Sequence, residues 1–269
     1  MTAKAGRALR DAVPRSAHAA WKAPPRDPVA TLRRMSGSWL PELVEGRWQR
    51  MAASPFAFLR GSARVMAADL STTPVTGIRV QAAGDAHLLN FGGFGSPERR
   101  LLFDVEDFDE TLPGAWEWDL KRLATSVVLA ARELGHEADA TAIGAAYRDA
   151  MAHYATLSAV AVWAAEVKAE GLKALGDNPR QWAHRTSRWE LPRLTAGDRI
   201  VADPPRTEPP PESVVRELRA LPAAYAATLA EDRVALLARY TVVDVARHAV
   251  GVGSYGTRCY VIYLRGREG

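Results

Sequence analysis

Apolar positions along this chain follow two rhythms. Helical spacing runs from Phe56 to Leu70 behind Ser54-Pro55, an N-cap followed by proline in the first turn. It returns from Trp118 to Leu134, stopped by Gly135, and then from Asp139 to about Lys168 in an alanine-rich stretch. It resumes from Glu212 to about Arg239, with an interruption at Pro222. The second rhythm is short and β-prone. Ile78–Gln81 and Leu101–Asp104 lie on either side of Asn90-Phe-Gly-Gly-Phe-Gly, and Tyr240–Ala249 and Thr257–Leu264 flank Gly251-Val-Gly-Ser-Tyr-Gly256. The pattern predicts an α+β fold, mainly helical, with two small β regions.

Breaks in the rhythm suggest four segments. Residues 1–27 form a basic arm, with Lys4, Arg7, Arg10, Arg15, Lys22 and Arg26 against Asp11 and Asp27. Its prolines and charges read as a solvated, partly disordered start rather than a nucleic-acid arm. Residues 28–170 form a helical lobe, 171–211 a Pro/Gly-rich linker or surface loop, and 212–269 helices followed by a glycine-loop hairpin.

Composition narrows the class. With 48% apolar and 25% charged residues over 269 positions, the chain is an ordinary globular protein with enough length for a substantial core. No apolar run nears the roughly 20 residues needed to cross a bilayer, and the start has no apolar block of signal type. A bacterial-style cytoplasmic protein without a membrane partner is expected. The single Cys259 excludes an internal disulfide and a cysteine-built zinc site. In its apolar, aromatic run it reads as a buried inert thiol.

Candidate chemistry concentrates in residues 84–110. Gly84-Asp-Ala-His-Leu-Leu-Asn90 sets Asp85, His87 and Asn90 on one loop, and Asp104-Val-Glu-Asp-Phe-Asp-Glu110 crowds carboxylates behind an apolar run. A base for phosphoryl transfer gains from a rigid loop beyond a strand end, and an asparagine five residues on can give a metal a neutral oxygen. The same residues could simply cap turns. On a strand end Asp104 and Glu106 would share one face, and Asp107 and Asp109 form a second pair; such neighbours repel unless a metal or arginine is present. The alternative is a solvated acidic turn neutralised by Arg60, Lys121 or Arg122. Asp119 could cap the helix it opens or brace the loop at residue 85, and Arg60 could meet phosphate or pair with the acidic cluster. His136, His153, His184 and His248 have no metal-type partners in sequence and read as surface or packing residues.

Gly251-x-Gly253-x-x-Gly256 is a weak signal alone. A strand-like run follows it, where a dinucleotide-binding loop would open into a helix. Strand, glycine loop, strand is the arrangement kinases use to cover phosphates; a plain hairpin with glycine turns is the alternative.

Six strings carry a family likeness: Arg50-Met51, Ser54-Pro-Phe-Ala-Phe-Leu-Arg-Gly61, Gly84-Asp-Ala-His-Leu-Leu-Asn-Phe-Gly92, Phe103-Asp-Val-Glu-Asp-Phe-Asp-Glu-Thr111, Trp116-Glu-Trp-Asp-Leu-Lys-Arg-Leu123 and Gly251-Val-Gly-Ser-Tyr-Gly-Thr-Arg258. They resemble the bacterial family called domain of unknown function 2252, from about residue 26 to the end. More distantly, Gly84-Asp85-x-His87-x-x-Asn90 resembles the catalytic loop of aminoglycoside and choline phosphotransferases, relatives of the protein kinases. That resemblance implies Asp85 as catalytic base and His87 as a motif residue bracing the loop. It implies Asn90 and Asp104 as magnesium ligands, with Asp107 a rival for the aspartate. Gly251, Gly253, Ser254 and Gly256, together with Arg60, would bind ATP, and Asp119-Leu120 resembles a helix-opening pair of those enzymes.

The chain departs from the pattern at Ala83, where a histidine is usual, and at Val-Glu after Asp104, where Phe-Gly is usual. Its glycine loop also follows the catalytic loop instead of preceding it. A circularly permuted kinase-like fold would explain that order. In the family a lysine-bearing strand follows the glycine loop, and the sequence stops at Arg265-Gly-Arg-Glu-Gly269. The expectation is therefore a C-terminally truncated form, inactive unless another chain completes it. The implied function is magnesium-dependent transfer from ATP to an unknown hydroxyl acceptor. A metal-dependent phosphohydrolase built on Asp104–Asp109, or a non-enzymatic phosphate- or nucleic-acid-binding module, are the alternatives; nucleic acid is not the expected partner.

Overall fold

The computed structural model describes residues 2–96, 98, 100–167 and 191–266. Its elements are mixed helix and strand, mainly helical, with small antiparallel sheets. Helices α1 (Ala3–Ala12), α2 (Pro28–Ser36), α3 (Pro41–Ala52), α4 (Pro55–Gly61) and α5 (Ala63–Leu70) come first, so the basic arm includes a helix. The described chain divides into two compact units, one holding residues up to Arg34 and onward from Arg50, the other Met35–Gln49 and the chain from Leu191.

In the first unit, Ser54 caps α4 by accepting the Ala57 amide at 3.1 Å, with Pro55 behind it. The helix expected over Phe56–Leu70 is two helices, broken at Ser62. That hydroxyl bonds back to the Phe58 carbonyl at 2.7 Å, competing with the helical ladder. Strand β1 (Arg79–Ala82) pairs with β4 (Leu112–Ala115), and β2 (Phe91–Gly95) with β3 (Leu101–Val105), each antiparallel. The glycine-rich run after Asn90 is thus itself a strand, and the two expected strands have other partners. Helix α6 (Trp116–Glu133) follows β4 directly and ends before Gly135. Helix α7 (Ala140–Tyr154) is capped by Asp139, and α8 (Ala159–Trp163) by Ser158. The single helix expected to about Lys168 is therefore two, and Lys168 lies outside the described residues. Leu32, Met51, Leu59, Val65, Leu70, Ala82 and Ala86 are buried in this unit.

In the second unit, short helix Leu191–Leu194 leads to the β5 (Thr195–Ala196) and β6 (Arg199–Ile200) pair. The expected linker over 171–211 is outside the described residues as far as 190; beyond that it carries these elements and β7 (Thr207–Glu208). Helix Glu212–Ala226 runs through Pro222, and helix Glu231–Leu237 follows. Strand β8 (Tyr240–His248) lies between β7 and β9 (Tyr260–Gly266), with an irregularity between Val242 and Asp244. Leu43, Ala249 and Tyr255 form a buried cluster with Leu40 against it.

Candidate functional site

The chain leaves β1 at Ala82 and turns at Gly84, whose φ of +77° suits glycine; a Cβ there would also run into the Glu110 carbonyl. Three side chains of α6 then hold the loop. Asp119 accepts the amides of Ala83 at 2.7 Å and Gly84 at 3.1 Å, so it braces the loop. Arg122 donates Nε to Asp85 Oδ1 at 2.6 Å, brings Nη2 to the same oxygen, and gives Nη2 to the Leu59 carbonyl at 2.8 Å. Ser126 accepts the Leu88 amide at 2.9 Å. Positions 119, 122 and 126 fall on one face of the helix. Within the loop, the Asp85 carbonyl accepts the His87 amide at 2.7 Å and Asn90 Nδ2 at 2.9 Å.

Asp85 and His87 are 7% and 3% exposed, with His87 Nε2 3.8 Å from Asp85 Oδ2. Burial pushes the His87 imidazole below its ordinary value; Asp85 opposes this, while the charges of Arg60 and Arg122 add to it. Arg60, in the last turn of α4, thus acts on the loop through His87.

The five carboxylates of the acidic run do not act as one cluster. Asp104 stands on β3 opposite Gly92, exposed, its Oδ1 accepting the Val105 amide at 2.8 Å. The Glu106 carboxylate fills the space that a side chain on Gly92 would need. Asp107 accepts the Asp109 amide at 3.2 Å. Burial raises the Glu110 carboxyl above its ordinary value, and Asp85, Asp107 and Asp109 raise it further against the opposing charge of Arg122. Asp107 and Asp109 thus act on Glu110 from the same side of the balance as Asp85. Of the cations expected to neutralise the acidic turn, Arg122 is committed to Asp85 and Lys121 donates to Thr73 at 3.0 Å.

Among the described residues no three His, Cys, Asp or Glu side chains form a metal centre by themselves. Asn90 gives its Nδ2 to the Asp85 carbonyl and keeps Oδ1, an oxygen donor of the hard kind that magnesium takes beside one or two carboxylates, phosphate oxygens and water.

The glycine loop has its own support in the second unit. Arg47, 3% exposed, lies over the Trp39 ring at 4.0 Å and donates Nη1 to the carbonyls of Gly253 and, at 2.7 Å, Tyr255. The Leu40 amide donates to the Gly256 carbonyl at 2.7 Å. Ser254 spends its hydroxyl on the Val250 carbonyl, and Thr257 Oγ1 donates to the Ser254 carbonyl, each at 2.7 Å. Among the described residues no hydrogen bond takes up the amides of Val252, Gly253 or Ser254.

Sequence reasoning missed the specific roles of Arg122, Ser126 and Arg47. A signal existed for the first two, since Asp119, Arg122 and Ser126 make a polar stripe at i, i+3 and i+7 along one face of an amphipathic helix. Among the described residues no helix is long and apolar enough to cross a membrane. A model of the family described as an uncharacterized protein conserved in bacteria, DUF2252, matches residues 39–269. No curated protein and no solved structure matches the chain.

Proposed function

The chain belongs to the DUF2252 family, and we propose that it is a kinase-like module transferring a phosphoryl group from magnesium-ATP to a hydroxyl acceptor. The observation that carries this reading is the brace from Asp119, which takes two amides of the loop presenting Asp85, His87 and Asn90. Phosphoryl transfer passes through a loose transition state with little covalent work for the protein, so catalysis rests on positioning and charge neutralisation. A side-chain-braced loop beside concentrated carboxylates suits that task.

In this reading Asp85 orients the acceptor hydroxyl through Oδ2, because Oδ1 is engaged by Arg122. Asn90 would hold magnesium, with Asp104 or its rival Asp107 as the carboxylate. Magnesium bound there would supply neutralisation of the phosphate charge. The unclaimed amides of Val252–Ser254 suit an anion, which supports a phosphate-binding role for the glycine loop. A cytoplasmic location, where ATP and magnesium are abundant, accords with the reading.

The test is transfer of label from γ-labelled ATP by the full chain, with and without magnesium. Asp85→Asn, and one of Asp104→Ala and Asp107→Ala, should each lower transfer by about 100-fold without loss of circular dichroism. Unchanged transfer in Asp85→Asn, or in both of the others, would sink the assignment. Phosphate release without nucleotide would instead indicate a metal-dependent hydrolase, and retention on polyanions with neither activity a binding module.

A further inference from the structure

We propose that Arg122 is the positioning residue for Asp85, an inference that rests on the phosphotransferase reading. Arg122 is 2% exposed, and both Nε and Nη2 meet a single oxygen, Asp85 Oδ1. The other oxygen, Oδ2, accepts no hydrogen bond among the described residues and has His87 Nε2 3.8 Å away. A carboxylate free to rotate presents either oxygen to a substrate. A planar, permanently charged guanidinium fixed on one oxygen leaves the other as the working atom.

The guanidinium is itself held. Nη2 also donates to the Leu59 carbonyl at 2.8 Å, in the last turn of α4, and Nη1 lies 3.4 Å from the Met66 sulfur. The pair thus joins α4, α5 and α6 to the loop. Buried ion pairs gain little over apolar residues of equal volume, so stability alone does not account for one at this place. Orientation of Asp85 does.

The experiment is a cycle of wild type, Asp85→Asn, Arg122→Met and the double variant in the full chain, with Arg122→Lys alongside. It follows label from magnesium-ATP to water or to the chain itself. Arg122→Met should lower kcat about 100-fold while changing KM for magnesium-ATP less than about 3-fold, and Arg122→Lys should fall between. In the Asp85→Asn background the same change should cost less than about 3-fold, because residues acting as a unit are non-additive. Equal losses in both backgrounds would overturn the proposal.

A wild-type chain that transfers no label and binds no magnesium-ATP would end the phosphotransferase reading by itself. The positioning role is then decided by amide hydrogen exchange. Arg122→Met should speed exchange at His87 and Leu88 about 10-fold or more and leave the β2–β3 hairpin unchanged. No change at the loop, or uniform acceleration through the unit, would refute it.

Discussion

Around Asp85 the protein takes up its loop's amides; around Gly253 it takes up its loop's carbonyls. The amides of Ala83, Gly84 and Leu88 go to Asp119 and Ser126, whereas the carbonyls of Gly253 and Tyr255 go to Arg47. Both loops are glycine-bearing connections that begin beyond a strand end. The sign of the supporting charge separates them. A carboxylate beneath the first loop consumes the donors at Ala83 and Gly84. A guanidinium beneath the second consumes acceptors, so that loop offers N–H groups, which suit an anion. Glycines alone therefore do not mark a phosphate loop, and the charge beneath them is the better guide.

The sharpest way to break this comparison is to remove the charges. Asp119→Ala strands two amides that now donate to a carboxylate, and should destabilise the protein by about 3 kcal/mol, read as a shift in the urea midpoint. Asp119→Asn keeps one acceptor oxygen and should cost roughly half as much. If neither variant moves the midpoint, the brace is an accident of packing. Arg47→Met keeps apolar volume over Trp39 but leaves two carbonyls without their donor, and should cost about 2 kcal/mol. In wild-type hydrogen exchange, Val252–Ser254 amides should be unprotected while those of Leu88 and Asn90 are slow. Similar protection in both loops would erase the distinction.

How far the sequence revealed this depends on how far apart the partners lie. Asp85, His87 and Asn90 were legible because they are within six residues and their chemistry is local. The support was not. Asp119 and Arg122 reach the loop from 36 and 37 residues away, and Arg47 reaches Gly253 across 206. Helix α6 was nearly fully legible, since its apolar face and Gly135 are strong signals. Strand β2 was not, because Phe91-Gly-Gly-Phe-Gly95 has weak strand propensity; the Glu106 carboxylate occupies the room Gly92 leaves. Likewise Pro113 sits in β4, tolerated because that sheet has only two strands and both are edges.

The smallest expected effect is a pH dependence that separates His87 from its acidic neighbours. Burial holds His87 below its ordinary value of 6.5, so the unfolded chain binds its proton first as pH falls. Stability from this group is fully present above about pH 6.5 and is lost as pH falls through the lower folded value. Glu110 runs the other way. Its raised carboxyl keeps its proton above the ordinary 4.5, so its contribution is present at low pH and is lost as pH rises through the folded value. His248, in the other unit, is lowered by burial and Arg206 and shares the sign of His87. Urea midpoints taken near pH 7.5 and 5.5 should therefore fall with acid in wild type, and fall less in His87→Gln and in His248→Gln. Glu110→Gln should steepen the acid loss by removing the opposing group. An unaltered slope in His87→Gln would mean that its proton exchanges as freely in the folded loop as in the unfolded chain. The polar brace from α6 would then not exclude water from the loop it holds.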